Sequence, residues 1–561
     1  MMRRVLPILP ALLLAACAVG PDYRTPAAPP KEALAPPPKL PDQTLLAGRD
    51  IPADWWALFK SPALDGLVRE AMAHNADVAA AQAALRVARE NAYANAGSFL
   101  PSIDASFQAT RQKDPTGTVA PTAANNAPQL NLFTPQLSVS YSPDLWGGTR
   151  RGQEALDATT EGQRFQVEAT YLTLTSNVVV AAVTEASLRG QVDATRSIIA
   201  DAGKALAILR RQRDLGQVSA ADVAAGETAL AQAEQTLPPL EKQLEQQRHQ
   251  LNALLGRMPA DPTPETFQLA DLALPAELPF SLPARLVEQR PDIRLAAANL
   301  HVASANVGVA VANRLPNLTL SGAAGSSASA LNSLFAAGNG FWNFGANLTQ
   351  PVFEGFSLAH KEKAARAALD QAAAQYRSAV VLAFQNVADT LSALKSDGDA
   401  LAAAQRADTA AAHALDLARR QLALGAAAPS AVLAAQQAAA QARLALVQAQ
   451  AARLMDTAAL FQALGGGWWN VPPAAEGASP ATPPRRTGAS SPDSLSVVHP
   501  VNHPETHSWH RMSQGRFVTG DDGAGFAAFF LENRIGGGGA VGHGRYRARL
   551  RRRRGLARIR A

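Results

Sequence analysis

Cysteine is almost absent from these 561 residues: Cys17 stands alone, so no intramolecular disulfide can form. Catalytic equipment is missing too. The ten His are scattered, five of them beyond position 476, and no two stand four apart on a helix with a Glu between them. His499, His503, His507 and His510 lie in a compositionally biased stretch, which explains them better than a metal site does. The run Gly536 to Gly539 lacks the Lys-Ser/Thr that a phosphate loop requires. We therefore expect no enzyme, no metal and no dissociable cofactor. Membrane-spanning apolar runs are lacking as well: Val5 to Leu14 is ten residues broken by Pro7 and Pro10, where a hydrocarbon core needs about 20. The body also lacks an excess of basic charge. Residues 477–561 hold fourteen Arg, no Lys and five acidic residues, a net +9 that leaves residues 1–476 at −3. The overall +6 thus gives no reason to invoke nucleic acid.

What is present begins with Arg3, Arg4, the short apolar run and Leu14-Ala15-Ala16-Cys17, a secretory signal over 1–16 ending in a lipobox. Cys17 is expected to carry a diacylglycerol and an N-acyl chain. Ala18 rather than Asp follows it, which by resemblance to lipoprotein sorting favours the outer membrane. Residues 17–53, rich in Pro and Ala, read as an extended tether.

The body then repeats itself. Asn75-Ala76-Asp77 and Phe99-Leu100-Pro101 recur 215 residues later as Arg290-Pro291-Asp292 and Arg314-Leu315-Pro316; Leu145 to Gly148 answers to Val352 to Gly355 at offset 207. Leu215-Gly216 and Leu255-Gly256 recur at offset 209 as Leu424-Gly425 and Leu464-Gly465. Four landmarks in one order define two units, 54–265 and 266–470, followed by an Arg-rich, low-complexity segment 471–561 expected to be disordered.

Each unit has one plan. Ile103, Ala105, Phe107 and Ala109 alternate with polar residues, as do Leu137, Val139 and Tyr141, predicting strands near 102–112 and 134–143; the second unit offers 317–327 and 341–351. No proline occurs in the 68 residues from Gly148 to Leu215, where Val167, Tyr171, Leu174 and Val178 mark a helical stripe. A helix of that length reaches about 100 Å. Leu230, Leu237, Leu244 and Leu251 fall at coiled-coil sevens on the return, although Pro238 and Pro239 should break or kink that helix. Trp55-Trp56 reads as packing, and Phe133, Tyr141, Trp146, Phe341, Trp342 and Phe344 as interfacial aromatics.

Cys17, Gly20-Pro21-Asp22-Tyr23, Trp55-Trp56, Asn75, Ser142 to Gly147, Gln289 to Ile293 and Gln350 to Gly355 together resemble the TolC-like outer membrane efflux protein family, NodT/OprM-type lipoproteins, over about 17–470. The resemblance implies an α+β membrane protein: a homotrimer with a twelve-stranded antiparallel barrel, four strands per chain, above a long α-helical periplasmic tunnel. It also implies a periplasmic adaptor and an inner-membrane transporter of RND type at the tunnel tip. Physics agrees on closure. Lipid cannot satisfy open sheet edges, and four strands are fewer than the eight of the smallest barrels.

At the helical turns Leu215, Gly216, Ser219, Asp222, Leu424, Gly425 and Ser430 are the candidate adaptor-docking residues. Where the family often places carboxylates after the second turn, this chain has Ala431 and Ala434, with only Asp222 retained in the first unit. A protein-secretion exit duct and a pore-free coiled-coil lipoprotein stay open as alternatives, the duplicated strand pairs weighing against the latter.

The lipobox makes a direct prediction. Intact mass of the purified protein should show an N-terminus at Cys17 bearing acyl chains, and Cys17→Ser should lose that mass; an unprocessed N-terminus or a free thiol at Cys17 refutes it.

Overall fold

A computed structural model describes residues 18–27, 38–113, 129–262, 267–280 and 283–470. Cys17, the signal and the segment 471–561 lie outside the described residues. The first unit carries α1 (Pro62–His74), α2 (Ala76–Ala96), strands β2 (Ser102–Lys113) and β3 (Gln129–Tyr141), then α3 (Gly148–Asp214) and α4 (Ala220–Leu254). A short strand β1 (Thr44–Ala47) precedes it. The second unit carries β4 (Glu277–Phe280), α5 (Pro283–Gln289), α6 (Pro291–Ala312), β5 (Asn317–Ser326), β6 (Gly340–Thr349), α7 (Ser357–Ala423) and α8 (Pro429–Ala463).

The repeat is metrically strict. The outgoing helices α3 and α7 are each 67 residues and the returning helices α4 and α8 each 35. Local chemistry sets the ends. Ser61 accepts from the Leu64 amide to start α1, and the Asn75 side chain accepts from the amides of Asp77 and Val78 to start α2. Asn75 Nδ2 also donates to the Leu254 carbonyl (3.0 Å), while its counterpart Arg290 donates to the Ala463 carbonyl (2.7 Å). Two unlike side chains thus satisfy the same orphan carbonyl at the end of each returning helix.

The four heptad leucines of α4 all face α3. Leu230 meets Leu206 and Leu209, and Leu237 and Leu244 meet Leu188 and Val192; Leu251 is fully buried. Of the break or kink expected at Pro238-Pro239 the break does not occur, since α4 runs through both. Each proline removes one helical amide, but both prolines and the residues four before them, Glu234 and Gln235, are exposed, so water can satisfy the freed carbonyls. Leu237 and Leu240 meanwhile hold that stretch to α3.

The strands form one antiparallel sheet in the order β2-β3-β5-β6. Register runs from Ser102↔Ser140 to Lys113↔Gln129 in the first hairpin and from Asn317↔Thr349 to Ser326↔Gly340 in the second. Tyr141↔Leu320 to Gln136↔Gly325 joins the two units. Strand β3 begins five residues earlier than the alternation indicated. Leu130 and Leu132 pair with Gln112 and Thr110 on the otherwise polar face, so the pattern failed there. The sequence match of Leu145–Gly148 to 352–355 is also corrected by two residues. The left-handed residue before the long helix is Gly147 in one unit and Phe356 in the other (φ 77° and 64°).

Between sheet and helical hairpins lies the main core. Trp55 is buried and stacks on Phe461 at 5.2 Å, with Phe59, Leu64, Leu251, Leu278 and Leu286 around them. Each such side chain contributes about 1.5–3 kcal/mol by leaving water. Strand β1 pairs in parallel with β4 beside it.

Gly256 and Gly216 end helices with nearly equal left-handed φ (76° and 72°), but a Cβ on Gly256 would lie 2.5 Å from the His74 carbonyl oxygen, whereas Gly216 has open space. Gly216→Ala should cost only the left-handed strain of about 1–2 kcal/mol, and Gly256→Ala more. Thermal unfolding followed by circular dichroism should show the larger loss of Tm for Gly256→Ala; equal losses would mean that this contact relaxes freely.

Candidate functional site

Three places concentrate what the helices and strands leave exposed or tightly constrained: the helical tips, the two faces of the sheet, and the junction between sheet and helices.

At the tips, each outgoing helix ends in the same hydrogen-bonded reversal. The Gly216 amide donates to the Arg213 carbonyl and Gln217 to Gln212 (both 2.8 Å); Gly425 donates to Leu422 (3.0 Å) and Ala426 to Gln421 (2.8 Å). This double bond pattern requires a left-handed residue, which glycine supplies without strain. It leaves Leu215 and Leu424 pointing outward, 66% and 83% exposed. The two turns then diverge. Ser219 caps α4 in a closed box: its Oγ accepts from the Asp222 amide, and Asp222 Oδ2 accepts from the Ser219 Oγ (2.7 Å) and amide (2.9 Å). The Ser219 hydroxyl, then its amide, hold the Asp222 carboxyl below its ordinary pKa. In the second unit Ala428 occupies the cap with no side-chain bond, Pro429 follows, and Ala431 stands where Asp222 does. Ser430 is exposed on the first turn of α8 and is not the counterpart of Ser219.

Above the tips the two hairpins face each other. Arg419 on α7 pairs with Asp201 on α3 at 3.1 Å, and cavities of about 770 Å³ and 490 Å³ open along this seam. Their walls mix Ala and Leu with Gln436, Asp201 and Arg419. Ion pairs this exposed contribute at most about 1 kcal/mol each, so the hairpins are joined weakly here. No cluster of three metal-ligating side chains exists among the described residues.

In the sheet the two faces differ chemically, except where Leu130, Leu132 and Phe341 fall on the polar face and Arg111 and Lys113 on the apolar one. Register places Ser102, Asp104, Ser106 and Gln108 beside Ser140, Ser138, Gln136 and Thr134 on one face, continued by Asn343, Asn347 and Thr349 on β6 through β5. The other face presents Ile103, Phe107, Leu137, Val139, Trp342, Phe344 and Leu348, all 40–81% exposed. A polar lumen and a lipid-facing exterior need this arrangement.

At the junction the segment directly after Cys17 is clamped onto the start of α3. Arg151, itself buried, donates to Asp22 (2.6 Å), Glu154 (2.8 Å) and the Val19 carbonyl (3.3 Å). Glu154 also meets His301 at 2.8 Å, and Tyr23 stacks on the His301 ring at 4.1 Å. Burial pushes the Glu154 carboxyl up, but bonds from Arg151 and His301 outweigh it and hold the pKa below ordinary. Glycines make the fit possible: a Cβ on Gly147 would strike Ala18 at 2.5 Å, and one on Gly308 would strike the Val19 carbonyl at 2.8 Å. Arg151, Glu154, His301 and Gly308 escaped the sequence reading. A glycine inside the apolar helix α6 was the available signal, since a glycine there costs about 1 kcal/mol against alanine and so points to a packing reason.

The sequence profile of a family described as outer membrane efflux protein matches residues 67–257 and 282–466. The pyoverdine export outer membrane protein OpmQ of Pseudomonas aeruginosa is 30% identical over 476 residues, covering 83% of this chain and 97% of that protein. The toluene efflux pump outer membrane protein TtgF of Pseudomonas putida is 32% identical over 494 residues, covering 84% and 98%. Among solved structures, the outer-membrane channel OprN superposes with a TM-score of 0.74 at 27% identity, over 81% of this chain and all of that one.

Because Arg151 is buried among its partners, Arg151→Ala leaves Asp22 and Glu154 without their cation and should release the segment. Trypsin cleavage after Arg24 should accelerate markedly in the variant while the strand content by circular dichroism stays unchanged. Equal cleavage rates would show that the glycine contacts alone hold the segment.

Proposed function

The chain belongs to the outer membrane efflux protein family, and we propose that three acylated copies form a passive, trimeric channel carrying small amphiphilic compounds outward. The observation that carries this reading is the sheet, four-stranded among the described residues, with opposite faces and β2 and β6 at its edges, joined to outgoing helices about 100 Å long. A sheet with lipid on one face needs its edges closed. Two copies would supply eight strands, whose interior side chains fill, whereas three supply twelve and leave room for water. The two equal units of each chain then give six quasi-equivalent hairpins around the tunnel.

A periplasmic adaptor and an inner-membrane transporter of RND type dock on this assembly at the tips. The support is the pair of outward-pointing leucines, Leu215 and Leu424, on turns remote from the sheet. Gly216 and Gly425 shape those turns, and Ser219 with Asp222 fixes the first; Ser430 borders the second. A partner that covered both would remove this apolar surface from water. Pyoverdine and toluene, in the names of two relatives, are chemically unlike, which fits a conduit that selects little. Cys17 anchors each copy through its lipid in the outer membrane, and the clamped segment 18–23 sets where that anchor begins. Neither the net −3 of residues 1–476 nor any basic face calls for nucleic acid.

Leu215→Arg combined with Leu424→Arg, each glycine left in place, tests the docking surface. Trimers should still assemble in the outer membrane, while adaptor cross-linking and compound efflux fall to the level of a channel-deleted strain; unchanged cross-linking would remove the tips as the docking site.

A further inference from the structure

The two units that build one chain also dictate how one chain meets the next. Within the chain, β3 ends the first unit's strand pair and β5 opens the second's, and these two are hydrogen-bonded. Around a closed ring the remaining junction joins β6, which ends the second pair, to β2 of the following copy. It is the same junction seen one unit later.

The register of that second junction can be transposed from the first. Strand β2 maps onto β5 with offset 215, as Ser102 onto Asn317; the partners of those residues, Ser140 and Thr349, then map β3 onto β6 with offset 209. The same 209 separates the starts of the long helices, Gly148 and Ser357, so strands and helices agree. Applying both offsets, Gln136↔Gly325 becomes Gly345↔Thr110, and Tyr141↔Leu320 becomes Gln350↔Ala105. We infer that β6 of one copy pairs antiparallel with β2 of a second copy in this one register, with Asn347 opposite Gln108 and Leu348 opposite Phe107. The inference rests on the trimer reading above and deepens it.

Chemistry not used in the transposition supports it. Leu348 and Phe107, 64% and 58% exposed in the single chain, come together on the apolar face, while Asn347 meets Gln108 on the polar one. A slip of one residue would put Leu348 opposite Ser106 or Gln108 and mix the faces along the whole seam. The isolated bridge Phe133↔Ala328 lies on the same line as the β3–β5 ladder. It transposes to Trp342↔Lys113, which sets a cation beside an indole on the apolar face, a favourable pairing.

Patterning alone would tolerate slips of two residues, so the experiment must separate those. Directly opposed residues have Cα atoms about 4.5–5.5 Å apart, within disulfide reach, whereas partners displaced by two lie about 7–8 Å apart, outside it. In the full-length acylated chain, Gln108→Cys with Asn347→Cys should convert the monomer band to reducible dimers and trimers on mild oxidation. Ser106→Cys with Thr349→Cys, a second pair in the same register, should do likewise if the first variant assembles poorly. Gln108→Cys with Gly345→Cys, or with Thr349→Cys, should stay largely monomeric after denaturation. Preferential linkage through either displaced pair, in protein that light scattering finds trimeric, overturns the register and leaves the trimer standing. Light scattering that finds the undenatured parent protein monomeric overturns the trimer reading itself.

Discussion

Every backbone amide and carbonyl at a sheet edge must find a partner, because hydrocarbon offers none, and leaving one unmet costs several kcal/mol. Among the described residues this chain makes a sheet of four strands with β2 and β6 at its edges. The apolar face places Phe107 and Leu348 on those edge strands, where each stays more than half exposed in a single copy. From that deficit the proposed trimer follows, and with it the quasi-six-fold arrangement of hairpins around the conduit. The long helices need no such help, because their hydrogen bonds are internal; in the first unit their packing comes from leucines at sevens on α4 against α3.

Duplication makes the arrangement economical. Equal helices of 67 and 35 residues recur with unlike side chains doing the same local job, Asn75 and Arg290 capping equivalent carbonyls being the clearest pair. The two tips depart from this equality. The first turn is stiffened by the Ser219 and Asp222 box, and the second has Ala428, Pro429 and Ala431 in its place. A carboxylate ring at the mouth would therefore contain only the first unit's Asp222, already engaged by its own cap.

Much of this was legible in the residues. Repeat offsets, heptad leucines, alternating strands and the glycine turns each depend on local spacing, which sequence displays. What stayed hidden depends on contacts between distant segments. The clamp of Arg151 on Asp22 and Val19 spans about 130 residues, and no periodicity announces it. Leu130 and Leu132 hid the start of β3 by falling on the wrong face, and Pro238-Pro239 suggested a break or kink where α4 continues through both. The clamp also joins the segment after position 17 to the sheet, since the Val19 amide donates to the Trp146 carbonyl and the Trp146 indole in turn donates to the Pro316 carbonyl at the foot of β5. Residues adjacent to Cys17 are thereby tied to both units where helix meets strand.

The central claim is that copies of this chain complete one another's sheet. A cryo-electron microscopy reconstruction of the protein in lipid nanodiscs tests it most directly. The account predicts a closed ring of twelve antiparallel strands with three-fold symmetry, β6 of each copy hydrogen-bonded to β2 of the next around a water-filled lumen. An open four-stranded sheet, or a ring closed by any other number of strands, would contradict it.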